Sequence, residues 1–283
     1  MSVSTSRRSL LRAGAWAAPA VVIASASPAY ATSGATPAPL PLCKEALYTL
    51  AWAGSGYSFS RTSPTGSRET GRGTVRAVVT TAGLTAAEIR DAAPLMVVAS
   101  NVFLGSRVRG RTAPDNAQNM RVSPFGVGNL GKRGLTLLQD YSNDSDLGSS
   151  AAARRTHGQE LMLQFSRPVK NLRFTVTDID NASSEAPRQY QDRVAVSGSP
   201  TVSLPAALRG AGTVSDPIRN VVTSASYHPS TSAAGNAVFQ YRSDVPMDTV
   251  KITFWNDQSG TLSGAGLQGI FISDLTFTAS TCA

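Results

Sequence analysis

Apolar and β-branched residues recur along this chain in short alternating runs broken by Gly, Pro, Asn and Ser. The runs cover Leu47–Phe59, Thr74–Thr81, Met96–Leu104, Leu135–Gln139, Leu161–Phe165, Leu172–Ile179, Val194–Ser197, Val238–Tyr241, Val250–Trp255 and Gly269–Thr278. Alternation of this kind turns one face of a strand inward and the other outward, and short strands at this spacing predict antiparallel sheets. Leu172, Phe174 and Val176 fall on one face, as do Val250, Ile252 and Phe254. Only Thr85–Ala93 has helical character, with Thr85 as a cap and Glu88 three residues later. The pattern reads as all-β: an antiparallel β-sandwich, jelly-roll or lectin-like, with at most one or two short helices. Two stretches, Gln164–Asp178 and Gln240–Asn256, repeat the order strand, Pro-containing turn, strand. They predict two hairpins facing each other across the core.

The first 31 residues break the pattern. Arg7-Arg8 precede Leu10-Leu11, an apolar Ala/Val/Ile stretch runs from Ala13 to Ala24, and Ala29-Tyr30-Ala31 forms an A-x-A site. This arrangement is that of a twin-arginine export signal, and the stretch is too short to span a bilayer permanently. Residues 1–31 are therefore read as a signal peptide, the Thr/Ser/Gly/Ala/Pro-rich 32–42 as a flexible leader, and 43–283 as one β-sandwich domain. The expected location is secreted, with loose cell-surface association as an alternative, and no membrane insertion after cleavage.

Export changes the reading of composition. The signal carries three arginines and no acidic residue, so the net charge falls from +8 to +5 on cleavage. Arg107, Arg109, Arg111, Arg154 and Arg155 have no interleaved aromatic platform, so no nucleic-acid partner is expected. The two cysteines, Cys43 and Cys282, bracket the domain. An isolated pair in an oxidising compartment is expected to close, which sets the first and last strands side by side. Leu40-Pro41-Leu42 lacks the small residues of a lipoprotein acylation site.

The strings Phe165–Asp180, Gln191–Gly198 and Gly269–Phe277 resemble the lectin-like β-sandwich modules at the exposed ends of bacterial surface and fibrillar adhesins. The resemblance covers roughly residues 160–280. It implies binding of a glycan or protein on a cell surface or in the matrix. The chain departs from such adhesins in having no wall-anchoring motif after residue 280.

Two constellations could carry that binding. Asp178 and Asp180 continue the inward parity of Leu172–Val176, and Asp192 shares parity with Val194 and Val196. A hairpin loop over 181–191 brings the three carboxylates to one rim, where they need positive charge. Calcium can supply it, as can a salt-bridge network with Arg188 and Arg193; uncoupled, solvated carboxylates are a third arrangement. The second constellation is aromatic: Trp52, Tyr57, Tyr190 and Trp255 lie near strand ends. Trp255 has the parity opposite to Phe254 and faces outward unless a loop or neighbouring strand covers it. Catalytic signatures are weak. His157 and His228 lack zinc spacing, and no G-x-S-x-G turn occurs. Gly126–Gly131 fits a dinucleotide pattern but is followed by a strand-like run, so it reads as a loop. Asp140, Asp144, Asp146 and Glu160 leave a carbohydrate-active hydrolase or lyase open, and a structural envelope component is a third class.

Overall fold

The computed structural model describes residues 43–54, 56–63, 70–80, 83–110, 117–141, 147–183, 190–224, 227, 229–258 and 267–282. The signal peptide, the leader and Arg188 lie outside them. The first half holds β1 (Glu45–Leu50), β2 (Ser58–Ser63), β3 (Thr70–Val79), α1 (Ala86–Asp91), β4 (Leu95–Phe103), β5 (Val108–Gly110), β6 (Val122–Gly126), β7 (Arg133–Tyr141) and α2 (Ala151–Arg155). The second holds β8 (Gln159–Thr177), β9 (Asp192–Val196), β10 (Thr201–Ser203), β11 (Leu208–Arg209) and β12 (Arg219–Asn220). It ends with β13 (Ala237–Gln240), β14 (Met247–Asn256), β15 (Gln268–Ile272) and β16 (Leu275–Ser280). Every pairing between these strands is antiparallel. The fold is all-β.

The 19-residue β8 is the spine. Its first half lies between β4 and β14, with Leu163 opposite both Ala99 and Val250. Its second half lies between β13 and β16, with Arg173 opposite Gln240 and Thr276. The change of partners falls where the strand bends, around Pro168 and Asn171, the latter at φ 54°. Proline lacks the ladder donor, and a bend lets one strand serve two sheets. The buried positions shift with it, from Leu161, Leu163 and Phe165 to Leu172, Phe174 and Val176. A one-residue irregularity exchanges the two faces of a strand in this way.

This corrects the two expected hairpins. Gln164–Asp178 lies in and just past one continuous bent strand. Gln240–Asn256 starts at the end of β13 and runs on through β14. β13 and β14 follow one another along β8, so the two similar stretches are antiparallel neighbours. A proline flanked by alternating residues marks a bend as readily as a reversal.

β8, β4, β3, β1 and β16 form a closed circuit, because β16 pairs with β1 and also with β8. Closure removes exposed edges. It also sets the first strand beside the last, with Glu45 opposite Ser280. The Cys43–Cys282 disulfide clasps this pair, with Cα atoms 5.3 Å apart. Arg167 ties the circuit to the α1–β4 segment. Its guanidinium donates to the carbonyls of Ala93 (2.9 Å), Pro94 (3.0 Å) and Ser280 (3.0 Å) and to the Tyr48 hydroxyl (2.9 Å). The core inside includes Tyr48, Phe165 and Phe277, in stacked and edge-on contacts.

Helix α1 starts as its sequence predicts. Thr85 caps the Glu88 amide while the Glu88 carboxylate accepts from the Thr85 amide, a reciprocal capping box. Helix α2 had no such signature. The Gly126–Gly131 stretch is the β6–β7 turn, with Gly128 and Asn129 both at positive φ and Leu130 N donating to Val127 O (2.9 Å).

Candidate functional site

Strand β8 ends at Thr177, and the next residue, Asp178, takes φ 69°, a conformation that aspartate tolerates better than most side chains. The turn lets Ile179 return to the core and sends the chain into the loop that re-enters as β9. Asn181 and Gln191 bridge the neck of that loop. Beside the neck lies a pocket of about 140 Å³. Its floor is the outward face of β7 and β15: Leu138, Gly269 and Phe271. Its walls carry Asp178, Asp180, Tyr190, Tyr227 and Gln268. A β-carbon on Gly269 would stand 2.8 Å from Leu138 Cδ1, so a larger residue there would push the Leu138 side chain aside. The Asp180 carboxylate accepts the Tyr227 amide (2.9 Å), which ties Tyr227 to this wall.

Asp192 sits directly behind the wall, 1% exposed. One of its oxygens accepts the Asp180 amide (2.9 Å), the other the Gln268 side-chain amide (2.6 Å). The row continues inward. Gln139 donates to Gln268 (2.8 Å) and to the Tyr141 hydroxyl (3.1 Å), and that hydroxyl donates to His157 O (2.8 Å). Burial, reinforced by the Asp180 charge, pushes the Asp192 carboxyl well above its ordinary range. Burial likewise holds the Tyr141 phenol up, so it stays neutral. Arg193 points its charge at Asp257 (2.9 Å), which Arg154 also meets (2.7 Å).

The raised pKa of Asp192 has a definite sign in stability. Between the unfolded value, about 3.9, and the higher folded one, the native state holds a proton that the unfolded chain has lost. Stability then falls as pH rises, by up to about 1.4 kcal/mol per pH unit. Asp192→Asn removes the ionisable group and keeps the shape. It is expected to match the parent at pH 4 and to exceed it increasingly towards pH 7 in urea unfolding. Parallel curves for the two proteins would contradict the assignment.

The structure brings Asp178, Asp180 and Asp192 to one end of β8 and β9, although the turn at Asp178 breaks the parity set by Leu172–Val176 and puts Ile179 in the core. Asp178 and Asp180 line the pocket, whereas Asp192 commits both oxygens to protein donors. Among the described residues no three acidic, imidazole or thiol groups are placed to hold a metal. Melting the protein with calcium and with EDTA tests for an ion there, and identical midpoints would favour neutralisation by the protein's own groups. A calcium-dependent gain, about 2.7 kcal/mol at a hundredfold excess over the dissociation constant, would instead establish an ion there.

The aromatic set divides. Tyr190 lines the pocket. Trp52 is core, 1% exposed, with its indole N–H on Ser273 O (2.8 Å). Tyr57 packs edge-on against Trp52, centroids 5.4 Å apart, and its hydroxyl donates to Met120 O (3.0 Å). Trp255 corrects the expectation of an outward ring. Its parity is opposite to that of Phe254, but the face is covered and the residue is 3% exposed. The segment after α2 crosses here, so close that a β-carbon on Gly158 would stand 2.8 Å from Trp255 Cβ.

Two pocket residues, Tyr227 and Gln268, were not legible in advance. Gln268 adjoins the run Gly269–Thr278, where a polar residue reads as solvated; only the fold turns it inward. A larger hollow of about 310 Å³ lies between β3 and α1, lined by Tyr48, Arg76, Val78, Ile89 and Pro94 among others. Its walls are mainly aliphatic, and the Tyr48 hydroxyl there is bound to Arg167. The smaller pocket is the better candidate because convergent polar groups line it.

No protein-family model matches the chain, and no curated protein matches it. Among solved structures, it overlaps a SusE-like protein at 13% identity and a TM-score of 0.26, over 82% of this chain and 88% of that one. An overlap at that score establishes neither fold nor function.

Proposed function

We propose that this chain is an exported bacterial binding protein that takes one sugar unit of a surface or matrix glycan in the pocket between Asp178, Asp180, Tyr190 and Tyr227. The observation that carries the reading is the convergence of carboxylates, tyrosines and an amide over an apolar floor. Carboxylates accept hydrogen bonds from sugar hydroxyls, and aromatic rings pack against the C–H face of a pyranose. The volume, about 140 Å³, is below the roughly 300–1,000 Å³ of pockets that engulf drug-sized ligands. It suits a single ring or substituent held at the surface. The twin-arginine leader and the disulfide both support an extracellular location.

Screening the secreted protein on a glycan array tests this directly. Asp178→Asn and Tyr190→Ala are each expected to weaken the best glycan about tenfold or more, since a hydrogen bond to a charged group contributes about 1.5–3 kcal/mol. Asparagine accepts the positive φ at 178, so that variant should fold normally. An array without hits, or variants that bind like the parent, would remove the reading.

A further inference from the structure

We infer that Asp192 is a positioning residue of the pocket, fastening the Asp180 wall to the Gln268 wall from behind. The inference rests on the pocket being the binding site; the fastening itself is a matter of geometry. The Asp180 amide and the Gln268 side chain come from different strands' ends, after β8 and at the start of β15. Asp192, the first residue of β9, is bonded to both, at 2.9 and 2.6 Å. No solvent competes, because Asp192, Asp180 and Gln268 are all buried.

Each oxygen of Asp192 meets one wall, so both walls are held by a single carboxyl group. The two ends of a carboxamide have the same shape, so Gln268 can turn over and present its oxygen when Gln139, whose own Oε1 accepts no bond as placed, turns over with it to accept from the Gln268 amide and gives up its bond to the Tyr141 hydroxyl. Asp192 as a carboxylic acid then donates to Gln268 and still accepts from Asp180. Burial and the Asp180 charge favour that form and outweigh the opposing Arg193 charge. Asp180 faces it from the loop after β8, and Tyr141 and Asp140 lie beyond at the end of β7. Arg193, its neighbour on β9, gives its backbone carbonyl one bond and directs its charge to Asp257. Ionising Asp192 would set a second negative charge beside Asp180 and turn the Gln268 amide back to donate to the carboxylate.

The test needs no ligand, so it stands apart from the glycan screen. The 13C carboxyl signal of Asp192, the Asp180 amide and the Gln268 side-chain amide are followed by NMR in the intact protein from pH 4 to 9. The expected result is an Asp192 midpoint well above the ordinary value of about 4, with both amide signals moving at that same midpoint. Asp192→Asn should hold the amide signals near their low-pH positions throughout, while Asp192→Ala should displace both at every pH. An Asp192 midpoint near 4, amide signals that ignore it, or an alanine variant that leaves both in place would overturn the inference. The parent's titration decides even where a variant does not fold.

Discussion

Replacing Cys43 and Cys282 together by serine is expected to destabilise the protein by about 5 kcal/mol. The bridge closes a loop with a sequence separation of 239 residues. The loop-closure entropy it removes from the unfolded chain grows with the logarithm of that length. For a domain of this size each kcal/mol shifts the melting temperature by about 2–4 °C, so a drop of roughly 10–20 °C should appear in thermal melts. Reducing agent should produce the same drop in the parent and none in the variant. A variant that melts with the parent would show that the β1–β16 ladder holds the ends without help.

The second large effect is expected at Trp52. Truncation to alanine removes a fully buried indole and leaves a cavity, a loss of about 3–5 kcal/mol. Trp52→Phe keeps most of the packing and loses the bond to Ser273 O, at a cost nearer 1 kcal/mol. Urea unfolding separates the two. Glycan binding by the folded fraction should stay unchanged in both, because the indole is core. A Trp52→Ala variant that keeps its stability and loses glycan binding would return Trp52 to the ligand site.

What could be read in advance follows from which forces are local. Period-two alternation placed Leu172, Phe174, Val176, Val250, Ile252 and Phe254 inward, and all six are buried. The capping box at Thr85 and the pairing of the two cysteines were legible because each needs only residue identity and spacing. The bend of β8 was not, since Pro168 carries the same signal in a bend as in a hairpin. Trp255 failed for a different reason: parity assigns a face, but what covers that face is decided by a distant segment near Gly158. Within the site, the three aspartates were foreseen as neighbours. The buried partners Gln139 and Gln268 were not, because a polar residue in an alternating strand reads as exposed until the tertiary fold encloses it.

The closed circuit through β1 and β16 has a consequence for biogenesis. Before residues 275–280 are synthesised, β1 can pair only with β3, in a register that joins Tyr48 to Val79 and Thr49 to Val78. Its six-residue ladder with β16 spans most of the chain, a contact order that slows folding. Residues 45–280 must therefore all have left the ribosome before the circuit can shut. Until then an unpaired strand edge is open to other chains. The circuit closes only once its last strand has emerged, not segment by segment along the way.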